Sequence, residues 1–264
     1  MSSTLYTSVN FTRDIPIIRT SIYEYDIAKA NISVLLNRGR ISLATYKYLY
    51  GLDNMARKVI IGKMERENPD LTKEKQLGIT QAKQYLFEAN GIEDHEVISI
   101  KNDAVFVTRE LEHTEYNHAK FTLRNTFELF MRALKLEFYY HDDFLTDNNI
   151  LVIKGVNDEK LALHEDYLME FFRQLLARYL RWSTPTSAIT LLRDFYESYT
   201  ARELDIGFYR DLKTGSFIIN TESTIYNYDL LIPDPSMIDL ININDNTAIL
   251  RAVARNLYAV YFRR

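Results

Sequence analysis

The spacing of apolar residues changes partway along this chain, and that change limits the folds open to it. Before residue 160, short β-branched and aromatic runs alternate with stripes of helical spacing. After it, Leu163, Tyr167, Leu168, Phe171, Phe172, Leu175, Leu176, Tyr179 and Leu180 recur every three or four residues, the mark of an amphipathic helix. Strands mixed with helices in one half, and mainly helices in the other, predict an α+β fold. The C-terminal region is then mainly helical with a small β-hairpin. The polar break HDDFLTDNN sets the expected domain boundary, giving 1–145 and 146–264.

Local signals fill in this frame. Ile15–Asp26 reads as a strand. Helices are predicted over Ala28–Asn37, Ser42–Tyr50, Asn54–Glu67 and Thr72–Asn90, with Gly39, Asn68-Pro69 and Gly91 as terminators. Glu96–Ile100 and Ala104–Thr108 flank Lys101-Asn102-Asp103, which predicts a tight hairpin with an aspartate at its tip. A helix is expected over Tyr116–Lys135 and a strand over Leu136–Tyr140. Thr184-Pro185 opens a further helix. Phe217–Ile219 and Thr224–Ile232 look like strands, and Asp245 caps a final helix.

Composition removes several function classes. No apolar run approaches the roughly 18 residues of a membrane span, and MSSTLYTSVNFTRD lacks a signal-peptide layout. A cytoplasmic chain with no membrane partner is expected. Zero cysteines exclude disulfides, thiolate metal sites and a cysteine nucleophile. The sequence shows no phosphate-cradling glycine loop, dinucleotide fingerprint or Gly-x-Ser-x-Gly elbow. With a net charge of −4, any nucleic-acid binding needs a local basic surface. Few Gly and Pro among many Ile, Asn, Tyr and Lys suit AT-rich coding sequence, as in many phages and low-GC bacteria; for a phage-encoded chain the compartment would be the host cytoplasm.

Asp26 ends one predicted strand, and Asp103 sits at the hairpin tip 77 residues on. Two carboxylates on neighbouring strand ends can hold a pair of Mg²⁺ or Mn²⁺ ions about 4 Å apart for phosphoryl transfer. Aspartates are also common at turns and helix starts for purely local reasons. His141-Asp142-Asp143 and His164-Glu165-Asp166 lack the spacing of a metal-ligand set.

YEYDIAKANISVLL, from Tyr23 to Leu36, resembles motif A of family A DNA polymerases, a strand ending in a metal-binding aspartate and then a run of the form D-Y-S-Q-I-E-L-R. VISIKNDAVFV, from Val97 to Val107, resembles their motif C, in which His-Asp-Glu joins two apolar strands. The resemblance covers roughly residues 20–140 and implies a palm-like antiparallel sheet with helices on one face. It implies Asp26 and Asp103 as catalytic, metal-binding carboxylates with Mg²⁺ or Mn²⁺ as cofactor. Asn31 falls where the family has a glutamate that discriminates between sugars, Asn102 replaces the histidine of motif C, and Ala104 replaces the carboxylate after the aspartate.

The fingers motif departs further from that family, whose helix presents an arginine, a lysine four residues on, and then a tyrosine. MARKVIIGKMER offers Arg57, Lys58 and Lys63 for a nucleoside triphosphate, but Ile61 stands at the lysine position and no tyrosine follows. These cations equally suit a solvated helix face. The final helix carries Arg251, Arg255, Arg263 and Arg264 without an acid from Thr247 onward, which suits phosphate contact or the helix dipole. The expected function is a minimal nucleotidyltransferase acting on nucleic acid with nucleoside triphosphates, alone or with other polymerase or phage subunits. The alternative is a non-catalytic, palm-derived binding or assembly module.

Overall fold

The computed structural model describes residues 8–143, 148–181, 186–218, 236, 238 and 245–262. The fold is α+β, with an antiparallel sheet, flanking helices and a mainly helical C-terminal region. The chain divides into two compact units, Met1–Asp14 with Ser21–Thr126 and Ile15–Thr20 with Phe127–Arg264.

In the first unit, β1 (Asn10–Thr12), β3 (Val97–Lys101), β4 (Ala104–Val107) and the later part of β2 (Ile17–Ile27) pair antiparallel in the order β1–β3–β4–β2. Every residue of β4 is buried, so its sequence is continuously apolar rather than alternating. The β3–β4 turn is the pair Asn102-Asp103, closed by Lys101 opposite Ala104. Asn102 has φ 49°, a left-handed conformation that asparagine tolerates better than most residues.

Four helices follow β2: α1 (Ala30–Asn37), α2 (Leu43–Gly51), α3 (Asn54–Glu67) and α4 (Asp70–Asn90). Helices α2 and α3 start at or beside the expected caps, while α1 and α4 begin at Ala30 and Asp70, two residues from the expected Ala28 and Thr72. Ser42 accepts from the Thr45 amide, Asp53 accepts from the Ala56 amide, and Gly91 closes α4 at φ 59°. Helix α1 has two buried faces. Ala30 and Val34 join Ile79, Leu86, Phe87, Ile100 and Val105 in one core; Ile32 and Leu35 join Leu49, Ile61 and Leu71 in another. Fully burying each such large side chain contributes about 1.5–3 kcal/mol. Gly78 lets α4 approach α1 closely: a Cβ there would stand 2.7 Å from that of Val34.

The helix expected over Tyr116–Lys135 is not formed. Those residues make β5 (Glu115–Tyr116), a turn at Asn117-His118 with Asn117 at φ 53°, and the long strand β6 (Ala119–Ala133). Phe127, Phe130 and Leu134 have helical spacing, but Phe127, Leu129, Met131 and Ala133 have strand spacing over the same stretch. Cross-strand pairing decides between them.

In the second unit, Leu129 to Ala133 of β6 pair with β7 (Leu136–Asp143), which pairs with β8 (Asn148–Lys154). Helices α6 (Glu170–Arg181), α7 (Thr186–Ala201) and α8 (Asp245–Phe262) belong to the same unit, after the single turn α5 (Asp158–Leu161). Phe172, Leu175, Leu176 and Leu180 are buried with Phe138, Tyr140, Leu192 and Val253 in one core. The stripe that begins at Leu163 is broken rather than continuous. A 3₁₀ turn and a π turn precede α6, and Tyr167 leaves helical geometry at φ −126° and ψ −105°. Its ring lies on Gly207, where a Cβ would meet the ring at 2.1 Å. Phe217 and Ile218 are buried but not in a strand. Ile219 and the strand expected over Thr224–Ile232, and with them the small hairpin, lie outside the described residues.

Candidate functional site

Asp26 and Asp103 become neighbours through strand register. Asp26 stands opposite Ala104, the residue after Asp103, and the Ile27 amide donates to the Asp103 carbonyl at 3.2 Å. Strand β6 pins the same segment from its other side. The Ala28 amide donates to the Lys120 carbonyl at 2.8 Å, and the Thr122 hydroxyl donates to the Asp26 carbonyl at 3.3 Å.

Both aspartates line one cleft of about 460 Å³ in the first unit, with Lys29, Asn31, Asn54, Arg57, Lys58, Ile61 and Arg124 among its walls. Two local features of the sequence build it. After β2 the chain turns through Lys29, at φ 49°, into α1, which carries Asn31 to the cleft. The Asp53 cap starts α3 so that Asn54, Arg57, Lys58 and Ile61, at helical positions i, i+3, i+4 and i+7, form one stripe facing the cleft.

The cleft is cationic in an acidic chain. Lys29, Arg57, Lys58 and Arg124 oppose Asp26 and Asp103, two more positive than negative charges, while the chain carries −4. The cations are held differently. Arg57 donates to the Leu52 carbonyl and to Asn54 Oδ1, both at 3.1 Å, so its guanidinium is fixed in place. Arg124 Nε stands 3.6 Å from Asp26 Oδ2. Lys29 Nζ lies 3.3 Å from the Tyr50 ring centroid. Lys58 is exposed and makes no hydrogen bond or ion pair among the described residues. Lys83 on α4 is fully buried in the same unit, donating to the Ser8 carbonyl at 2.6 Å. Burial lowers its pKa to about 8, against the opposing pull of the Asp103 charge.

Of the residues singled out in sequence, the cleft gathers Asp26, Asn31, Arg57, Lys58 and Asp103. Lys63 is exposed on α3 and is not among its lining residues. Arg251 and Arg255 are exposed on α8 in the second unit, where Arg251 donates to the Tyr196 hydroxyl at 3.1 Å. Arg263 and Arg264 lie outside the described residues. Lys29 and Arg124 were missed in the sequence. Lys29 lies three residues after Asp26, a usable signal, but Arg124 fell in the segment read as helix and could not be placed.

Among the described residues no three His, Asp or Glu side chains converge as a metal site. Asp142 of the HDD run is instead buried in a bidentate pair with Arg181, at 2.7 and 2.9 Å. For a divalent cation, the cleft offers two carboxylates. Magnesium accepts such a set when substrate phosphates supply further oxygens.

The sequence profile of the family described as Bacteriophage PBS1 gene 130 protein matches residues 1–258. No curated protein matches in sequence. Among solved structures, the family B DNA polymerase from the hyperthermophilic archaeon Pyrobaculum calidifontis is similar, at 10% identity and a TM-score of 0.43. The match covers 95% of this chain and 46% of the polymerase, so this chain spans about half its length. The likeness is a weak and distant one to a DNA polymerase fold, and the family A palm expected from the motifs is not shown.

Proposed function

This chain belongs to the family of the Bacteriophage PBS1 gene 130 protein, and we propose that the Asp26–Asp103 cleft of its first unit is a binding module for the phosphates of a nucleotide or nucleic-acid strand. The observation that carries this reading is the local charge reversal, with four cations around one cleft in a chain of net charge −4. Arg57 presents a guanidinium already fixed by Leu52 and Asn54, and Lys58 adds an exposed ammonium with no partner among the described residues. Arg124 can exchange its 3.6 Å approach to Asp26 for a phosphate oxygen. Such contacts are blind to base sequence and sensitive to salt. A module of this kind would serve a larger nucleic-acid complex, with other phage subunits supplying any chemistry.

The test is fluorescence anisotropy of a labelled oligonucleotide and of a fluorescent nucleoside triphosphate over a range of salt. Lys58→Ala with Arg124→Ala should weaken both ligands and flatten the salt dependence by roughly one unit of slope per lost contact. Affinity and slope equal to wild type would sink the reading.

A second reading, nucleotidyl transfer, is favoured by one specific observation, the register that sets Asp26 beside Asp103. Those two carboxylates would hold Mg²⁺ or Mn²⁺, which when bound lowers the pKa of an attacking hydroxyl and neutralises charge on the phosphoryl group. Arg57 and Lys58 would orient the phosphates, and Asn31 at the start of α1 would face the sugar. Metal-dependent incorporation by wild type, lost in Asp103→Asn while binding persists, would establish transfer. Binding without incorporation on any primed or unprimed template leaves the binding module.

A further inference from the structure

Three rings lead away from the cleft. Tyr50, whose ring carries Lys29 Nζ, lies 5.6 Å between centroids from Tyr46, and Tyr46 lies 6.1 Å from the His118 imidazole. The planes tilt by 46° and 42°, so the rings are not stacked on one another. Tyr50 and His118 are exposed and Tyr46 is half-buried against the apolar cluster beneath it. The row ends at an open groove of about 440 Å³ lined by Leu36, Asn37, Asn117 and His118. One side chain fixes that far end. Asn37 of α1 donates to the Tyr116 carbonyl and accepts from the His118 amide, both at 2.9 Å.

We infer that the ligand of the cleft is a single-stranded nucleic acid, with phosphates at Lys29, Lys58 and Arg124 and successive unpaired bases laid on Tyr50, Tyr46 and His118. This rests on the phosphate-binding reading of the cleft and narrows it. Aromatic rings that are not stacked on one another, beside a positive groove, suit bases that have left their own stack, whatever their identity. In a duplex the base faces are covered by neighbouring base pairs, and a lone nucleotide has one base for three rings. The Asn37 clamp fixes the backbone that carries His118 before the ligand arrives, which limits the ordering cost of binding.

The experiment compares a short fluorescein-labelled oligothymidine strand, a hairpin duplex with the same label, and a fluorescent nucleoside triphosphate. The proteins are wild type, Tyr46→Leu with His118→Ala, and Arg57→Ala with Lys58→Ala. Leucine keeps apolar bulk on the underlying cluster while removing the ring. Wild type should hold the single strand at least about tenfold more tightly than the duplex. The ring variant should lose about tenfold on the strand, while its triphosphate affinity stays at the wild-type value. A ring variant that binds the strand like wild type, or a wild type with no preference for the strand, overturns this inference and leaves the cleft reading standing. Neither strand nor triphosphate bound by wild type, or both bound unchanged by the Arg57→Ala with Lys58→Ala variant, overturns both. If melting shows the ring variant unfolded, His118→Ala alone, on an exposed ring, decides by the same criteria.

Discussion

Asp142 illustrates how a single residue changes meaning once its partner is known. In the sequence it belongs to a histidine–aspartate run that invites a metal. In the fold its carboxylate has no exposure and takes both oxygens' worth of hydrogen bonds from Arg181, 39 residues away. No local signal could have exposed that pairing. The pair makes a test of structure against ligand binding. Arg181→Ala strands a buried carboxylate, and because the guanidinium is itself partly exposed the expected cost is at the low end for such a change, about 3 kcal/mol. Adding Asp142→Asn should recover much of that, because the uncompensated charge disappears. Urea unfolding of the two variants measures it, and a double variant no more stable than Arg181→Ala would refute this account. Neither change should alter the first-unit cleft.

At the scale of elements, legibility followed how local the determinants are. Helices α2 and α3 have side-chain caps and α4 a glycine stop, and those ends were readable; the start of α4, at Asp70 after an uncapped Pro69 rather than at Thr72, was not. The β3–β4 hairpin was readable because two apolar runs flank a polar turn. Strand β6 was not, because its apolar residues satisfy two periods at once and only pairing with β7 selects one. That misreading hid Arg124, so the lining of the cleft was incomplete in sequence although Asp26, Asn31, Arg57, Lys58 and Asp103 had been singled out. The α3 cap links element to site. Asp53→Ala removes the acceptor for the Ala56 amide and should cost about 1 kcal/mol. Fraying there loosens Asn54, Arg57 and Lys58, so triphosphate affinity should fall as well. Asp53→Ser, which keeps a capping oxygen, should restore both. Affinity unchanged in Asp53→Ala would show that the stripe does not depend on the helix start.

Over the whole molecule, charge and titration are unevenly distributed, and the average composition conceals it. The net charge of −4 supplies no global attraction to nucleic acid, while the cleft reverses that sign locally. Acid sensitivity is divided in the same way. In the second unit, burial lowers the pKa of His164 to about 4, with the Asp211 backbone opposing it. The unfolded chain then binds this proton near pH 6.5 and the folded chain near 4, so its contribution is complete above 6.5 and is lost as pH falls through that window. The loss is on the order of 3 kcal/mol, since each tenfold difference in proton affinity between the two states is worth about 1.4 kcal/mol. In the first unit, hydrogen bonds from Arg40 and then Arg38 lower Glu74 to about 2. That contribution is present above 4.5 and is lost between 4.5 and 2, a lower window. Stability should therefore fall in two stages on acidification, the first belonging to His164. Denaturant midpoints measured from about pH 7 to about pH 3 should show His164→Phe nearly flat between 6.5 and 4.5, with the lower stage retained. A His164→Phe profile that drops with wild type across the upper window would assign that stage to another group and remove the buried imidazole from the account.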